Sequence, residues 1–206
     1  MPPPVAFADA VVVAAGSSRR MGGPDKLRLP LAGRPLLSWT LEALGAASSV
    51  RGLILVVAAE RVAEFARLPW VHQSGVSIVA GGERRQASVA AGVAAAGAEV
   101  VLVHDGARPL VTPALVDAVA EAARETGAAI PVRALAETVK RSRDGHVGET
   151  VEREGLAVAQ TPQGARLALL RDALARTGAA RPEAPEFTDE AAILEAVGIP
   201  VTAVPG

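Results

Sequence analysis

Five short apolar runs rich in β-branched residues, Ala10–Val13, Leu53–Val57, Val76–Val79, Val100–Val103 and Ala128–Val132, recur along the chain with segments of helical spacing between them. A strand that is apolar throughout has both of its faces covered. Strands of that kind alternating with helices predict an α/β fold: a single Rossmann-like domain with a mostly parallel central sheet between helices. The 206 residues suffice for one sizeable core, so one domain over 1–206 is expected. Half of the residues are hydrophobic but only 2% are aromatic, so Ala, Val and Leu must fill that core.

The helix signals agree with this plan. Pro35 opens a segment in which Leu37, Leu41 and Leu44 share a face. Thr112-Pro113 supplies an N-cap and a first-turn proline, with Gly127 as the stop, and Thr161-Pro162 with Gly178 has the same form. Thr188 is expected to cap a last helix carrying Asp189 and Glu190 in its first turn, with Gly198 ending it. Residues 86–98 are so rich in Ala and Gly that their helix must pack closely. The segment at about 137–160 breaks the rhythm: Asp144-Gly145 and Glu154-Gly155 are turn signals, and partial alternation predicts a β-arm with one charged face. Such an arm lies on the sheet edge or reaches a second subunit. Arg181–Glu186, rich in Pro and Ala, is the one stretch with linker character.

Composition excludes several classes. A net charge of -1 argues against a nucleic-acid partner. Without Cys there is no disulfide framework and no Cys-ligated metal. The N-terminus lacks the basic region of a signal peptide, and no uncharged apolar stretch is long enough for a bilayer, so a soluble cytoplasmic protein is expected. Absence of Asn and Cys fits a thermophile or a biased genome composition. Arg far outnumbers Lys, whose only positions are Lys26 and Lys140, places where a compact point charge is wanted or chance alone has acted.

Four constellations fall at predicted strand ends, where ligands sit in open α/β sheets. Ala14-Ala15-Gly16 leads to Arg19, Arg20 and Lys26, a small-residue loop that lets backbone approach a polyphosphate while cations neutralise it. It is neither a P-loop nor a dinucleotide fingerprint, and its bland alternative is a tight turn with solvated arginines. Gly81-Gly82 with Arg85 and Ser88 suits a base or sugar, or is only a Gly-rich turn entering a helix. His104-Asp105-Gly106-Ala107-Arg108-Pro109 could bind hydroxyls, a phosphate or a hydrated cation, or staple a loop; His104 is expected to orient its neighbours rather than bind metal. Thr138, Lys140, Arg153 and Thr161-Pro162-Gln163 include Thr and Arg, suited to a phosphate monoester, or form a charged edge hairpin.

The order of these elements, with Thr-Val-Lys, Val-Glu-Arg, Thr-Pro-Gln and Thr-Asp-Glu following, resembles the 2-C-methyl-D-erythritol 4-phosphate cytidylyltransferase family from about Val11 to Val204. The resemblance implies a nucleotidyltransferase that moves CMP from CTP to methylerythritol phosphate in non-mevalonate isoprenoid synthesis. Arg20, Lys26 and Arg153 would be catalytic. Ala14, Ala15, Gly16, Gly81, Gly82, Arg85, Ser88 and Ala107 would surround CTP. Asp105, Arg108, Thr138 and Thr161 would meet the acceptor. Mg2+, or another divalent cation, would be held mainly by the CTP phosphates, near Asp105. A homodimer would form through the β-arm, with Arg153 serving the partner's site. Position 106 is Gly where the family often has Ala, and the family's further lysine beyond the last strand has no counterpart before Gly206. A ribitol-5-phosphate cytidylyltransferase and a non-catalytic CTP-binding domain are the alternative readings.

Overall fold

The computed structural model describes residues 6–16 and 25–206. In chain order it contains β1 (Ala8–Val13), the short pair β2 (Pro30–Leu31) and β3 (Arg34–Pro35), α1 (Leu36–Gly45), β4 (Val50–Val57), α2 (Val62–Ala66), α3 (Pro69–Gln73), β5 (Ser77–Ala80), α4 (Arg85–Ala95) and β6 (Val100–Asp105). There follow α5 (Pro113–Thr126), β7 (Ala128–Ala134), β8 (Val139–Arg143), β9 (His146–Val151), β10 (Ala157–Ala159), β11 (Gln163–Arg166), α6 (Leu167–Thr177), α7 (Glu190–Glu195) and β12 (Thr202–Pro205). No helix among the described residues is long and apolar enough to cross a membrane.

The main sheet runs β10-β7-β11-β6-β1-β4-β5, with β12 also on β7. Its centre, β6-β1-β4-β5, is parallel, and β11 runs antiparallel between β6 and β7. Successive residues of a strand point to opposite faces. Ala10, Val12, Leu55 and Leu102 therefore pack with Leu37, Leu41 and Leu44 of α1 and Val119 of α5 on one side. Val11, Val56, Val101 and Val103 pack with Val89 and Val93 of α4, Leu170 of α6 and Ile193 of α7 on the other. The expected α/β sandwich is present, including its Leu/Val/Ala core.

The close approach expected of the Ala- and Gly-rich helix is visible at Gly92, where an added Cβ would lie 2.3 Å from Val11 Cγ1 and 2.8 Å from Val56 Cγ2. At the opposite end of the sheet from the cavity described below, Asp9 is buried. Its carboxylate accepts from the N–H groups of Gly97 (2.7 Å) and Ala98 (2.8 Å) and from Arg51 Nε (3.1 Å), tying the α4–β6 turn to β1. Burial alone would raise its pKa, but these donors outweigh it and hold the carboxyl below its ordinary value.

Three local expectations change. Thr112 does cap α5, accepting from the Leu115 N–H, and Gly127 ends that helix with φ +104°. Thr161-Pro162 does not cap a helix: β11 intervenes and α6 begins at Leu167, because the Thr161 hydroxyl is bonded to His104 instead. The cap of α7 is Asp189 rather than Thr188, its carboxylate accepting from the Ala192 N–H at 2.9 Å. Finally, the stretch around 181–186 is tethered rather than linker-like. Arg84 donates to the carbonyls of Arg181, Pro182 and Ala184, and Gln86 donates to those of Ala179 and Pro185.

The segment expected to form an arm contains a hairpin, β8–β9, that is its own two-stranded sheet. Asp144 (φ +50°) and Gly145 (φ +78°) make its turn, the geometry that matches strand twist and that Asp-Gly favours. Nearly every residue of the hairpin is exposed.

Candidate active site

Three parallel strands deliver their carboxyl ends to one place. The Ala14 N–H donates to the Val56 carbonyl (2.8 Å), Gly81 to Val57 (2.7 Å) and Gly106 to Val13 (3.0 Å), so each loop leaves the sheet still bonded to its neighbour. The chain proceeds from β1 to β4 on one side, while β6 joins β1 on the other. The crevice between β1 and β6 is therefore the switch point at which such sheets bind ligands. A cavity of about 600 Å³ opens there, lined by Ala14, Ala15, Gly16, Lys26, Gly82, Glu83, Arg84, Arg85, Ser88, Asp105, Ala107 and Arg108 among others. Its rim carries four basic and two acidic side chains, which suits an anion.

Local chemistry places each of these. Asp25 accepts from the Leu27 N–H (3.1 Å) and from Arg61 Nη2 (2.6 Å), and Leu27 is buried, so Lys26 is held at the cavity between two anchored neighbours. Ser88 is buried; its Oγ accepts from the Gly82 N–H at 3.2 Å and lies within hydrogen-bond reach of the Gly82 carbonyl, folding the glycine loop onto the first turn of α4. Gly81 lies just behind the lining: a Cβ there would stand 2.7 Å from Ser88 Oγ and 2.9 Å from Ala15 Cβ. Gly106 is equally confined, because a Cβ would come within 3.0 Å of Leu37 Cδ1.

Asp105 accepts from two guanidinium groups, Oδ1 from Arg85 Nη2 at 3.3 Å and Oδ2 from Arg108 Nε at 3.0 Å. Arg85 also grips Glu190 through both of its terminal nitrogens, at 2.7 and 3.3 Å. Desolvation would lower the Arg85 pKa, but the charges of Glu190 and Asp105 more than reverse this, and its pKa is raised. Among the described residues no group of three His, Cys, Asp or Glu side chains could hold a metal. Both Asp105 oxygens are engaged by guanidinium groups.

His104 is fully buried, and burial lowers its pKa, which keeps the ring neutral. Its Nε2 lies 3.1 Å from the Arg108 carbonyl, which can only accept, so Nε2 carries the proton. Nδ1 then accepts from the Thr161 hydroxyl at 2.9 Å. The histidine thus orients the neighbours on either side of it. It also shows that the Thr161 proton is already committed.

The structure brings Ala14, Ala15, Gly16, Lys26, Gly82, Arg85, Ser88, Asp105, Ala107 and Arg108 into one lining. Thr161 lies in an adjoining cavity of about 780 Å³ that shares Ala107 and Arg108 with the first. Thr138 and Arg153 belong to the hairpin region and line neither cavity; Arg153 donates to the Ala136 carbonyl. Arg19 and Arg20 lie outside the described residues. Sequence reasoning misses Glu83 and Glu190 as site residues. The Thr-Asp-Glu element contains Glu190, but a carboxylate in a first helical turn has a sufficient local explanation in the helix dipole.

Comparison with known proteins gives the family and the fold. The family profile described as IspD, 2-C-methyl-D-erythritol 4-phosphate cytidylyltransferase, matches residues 8–206. A protein of that name from Synechocystis is 41% identical over 202 residues, covering 95% of this chain and 86% of the relative. A bifunctional IspD/IspF enzyme of Anaeromyxobacter dehalogenans is 44% identical over 203 residues, and the chain spans 51% of its length. The crystal structure of the cytidylyltransferase from Thermus thermophilus superposes with a TM-score of 0.77 at 36% identity, covering 95% of this chain and 87% of that one. This chain belongs to the 2-C-methyl-D-erythritol 4-phosphate cytidylyltransferase family.

Proposed function

We propose that this protein transfers CMP from CTP to 2-C-methyl-D-erythritol 4-phosphate, giving 4-diphosphocytidyl-2-C-methyl-D-erythritol and pyrophosphate. The observation that carries the reading is the basic cavity at the β1/β6 crevice, in a chain whose family profile runs from residue 8 to residue 206. A phosphate-monoester oxygen of the acceptor attacks the α-phosphorus of CTP in line. The new P–O bond replaces the one to the β-phosphate, and pyrophosphate leaves. The acceptor is already an anion, so the site needs no strong base; its task is to bring two polyanions together and hold them aligned.

Lys26 faces the triphosphate and stabilises the charge that grows on it, a task the family resemblance also gives to Arg20. The loop Ala14–Gly16 and the Gly82–Ser88 turn enclose the nucleotide. Arg108, which lines both cavities, and Asp105, which lines the first and accepts from Arg108, take the acceptor side. Mg2+ bound to the triphosphate would supply further charge neutralisation, and Asp105 is the residue placed to face its water shell. Thr161 acts through His104 and the Arg108 loop rather than by donating its own proton to a phosphate.

The protein acts as a homodimer in the cytoplasm, its hairpin carrying Thr138 and Arg153 to the partner's acceptor pocket. The exposure of the hairpin supports this, as do two apolar side chains left open to solvent, Leu110 (88%) and Val147 (74%). A pyrophosphate-release assay over CTP and UTP, each with methylerythritol phosphate and with ribitol 5-phosphate, tests the reading. CTP with methylerythritol phosphate gives the highest kcat/KM. Preference for ribitol 5-phosphate or for UTP refutes the substrate assignment, and the absence of pyrophosphate release with either acceptor refutes catalysis.

A further inference from the structure

Glu190 is 2% exposed, yet it lies one guanidinium away from the cavity. Burying a carboxylate costs several kcal/mol unless a partner compensates, and well-packed apolar residues could fill the same space without that cost. Its position is also braced. Asp189 caps α7 in front of it, and the Gln163 amide donates to Asp189 Oδ2 (2.9 Å) while its oxygen accepts from the Ala191 N–H (2.9 Å). The braced carboxylate takes Arg85 by both terminal nitrogens, and Arg85 Nη2 reaches on to Asp105 Oδ1. Arg108 holds the other Asp105 oxygen. An arginine gripped from behind in this way is a fixed spacer and not a free phosphate clamp.

We propose that Glu190 is a positioning residue for the acceptor side of the site, acting through Arg85 to fix the direction of the Asp105 carboxylate. The inference rests on the function proposed above. It carries a sign that a purely structural ion pair does not. Arg85, Arg108, Asp105 and Glu190 balance in charge, so Glu190→Gln leaves one uncompensated positive charge at the cavity, which attracts either anionic substrate and does not by itself weaken CTP binding. CTP binding is then held or improved while acceptor alignment is lost. A pair that only joined α4 to α7 would weaken both substrates together and lower the melting temperature with them.

The test is steady-state kinetics with Glu190→Gln, Arg85→Met and the double variant, measured beside the wild type. Glu190→Gln lowers kcat/KM for methylerythritol phosphate by about ten- to a hundredfold, the loss expected of a displaced positioning group, with the CTP KM unchanged or lower. In the Arg85→Met background the same substitution has no further effect, because the link it works through is gone. Equal losses for both substrates, additive losses in the double variant, or wild-type kinetics in Glu190→Gln overturn the inference. Arg85→Lys, which keeps the charge but loses the fork, carries the same measurement if Glu190→Gln does not fold; its loss in kcat/KM is larger for methylerythritol phosphate than for CTP, and an equal loss overturns the inference. A wild-type enzyme inactive on this substrate pair refutes the function instead.

Discussion

Gly81→Ala tests whether the glycine loop forms the nucleotide wall. The new methyl would stand 2.7 Å from Ser88 Oγ, 2.9 Å from Ala15 Cβ and 3.1 Å from Val56 Cγ1. Carbon–carbon contacts are best at about 3.5–4.0 Å, so the Ala15 contact is short by at least about 0.6 Å. Overpacking of this kind costs about 1–3 kcal/mol, and a disturbed Ser88–Gly82 hydrogen bond adds about 1 kcal/mol. Burying one methyl returns about 0.8 kcal/mol. The net penalty is about 1–3 kcal/mol, equivalent to roughly 5- to 150-fold in a binding constant. It falls on the nucleotide because Val56 is buried in the core, whereas Ala15 borders open cavity and can yield only into the space CTP needs. The CTP KM rises at least about fivefold, the acceptor KM changes less than about twofold, and the melting temperature falls by less than about 3 °C. Gly92→Ala is the control. Its methyl meets buried Val11 and Val56 with no cavity to yield into, so its cost appears in the melting temperature and leaves the CTP KM alone. Initial rates over a CTP series with parallel calorimetric melts decide the matter. An unchanged CTP KM in Gly81→Ala refutes the placement of the wall.

Three further outcomes are expected. Lys26→Ala lowers kcat by at least about a hundredfold, near the roughly 3–4 kcal/mol that one preorganised charge contact contributes, with the fold intact by circular dichroism; near-normal turnover removes Lys26 from the mechanism. Mixing inactive Lys26→Ala and inactive Arg153→Ala chains under subunit exchange restores part of the wild-type rate, because half of the sites in a mixed dimer are complete; a mixture that stays inactive places Arg153 in its own chain's site. Asp9→Asn destabilises by about 1.5–3 kcal/mol, the range for a hydrogen bond to a charged group. The Asp9 pKa is lower folded than unfolded, so its contribution is fully present above the unfolded value and is lost as pH falls through the folded one. Urea midpoints of the two proteins should therefore differ constantly above about pH 5 and converge in stronger acid; a gap that widens on acidification contradicts the assignment.

The strand pattern was legible because burial on both faces forces unbroken apolar runs, and these appear at β1, β4 and β6 as they stand in the sequence. The loops that line the cavity were legible from their place, since glycines and cations directly after such runs fall at strand ends, where ligands sit in open α/β sheets. What stayed hidden depends on contacts between distant segments. Thr161-Pro162 has the composition of a helix cap, and only the proximity of His104, 57 residues earlier, gives the hydroxyl another partner. Glu190 and Arg85, 105 residues apart, carry no mutual signal in one sequence. The 181–186 stretch has a linker's composition, but Arg84 and Gln86 supply the donors its carbonyls lack among themselves.

The reversed direction of β11 has a topological consequence. β7 runs parallel to β6, so it finishes at the edge where β6 ends in His104 and Asp105. The hairpin departs from that edge after Ala134, and β10 re-enters beside it at Ala157, opposite Ala134. Because β11 then descends against β6, with Gln163 opposite Val103 and Arg166 opposite Val100, it starts at the rim where β6 ends, without a crossover helix. Had this strand been parallel, the returning chain would have had to traverse the whole depth of the sheet first. The antiparallel pairing of β10 with β7 thus roots both feet of the hairpin on the rim where β6 ends, and lengthening or shortening the hairpin alters its reach while leaving the core register untouched.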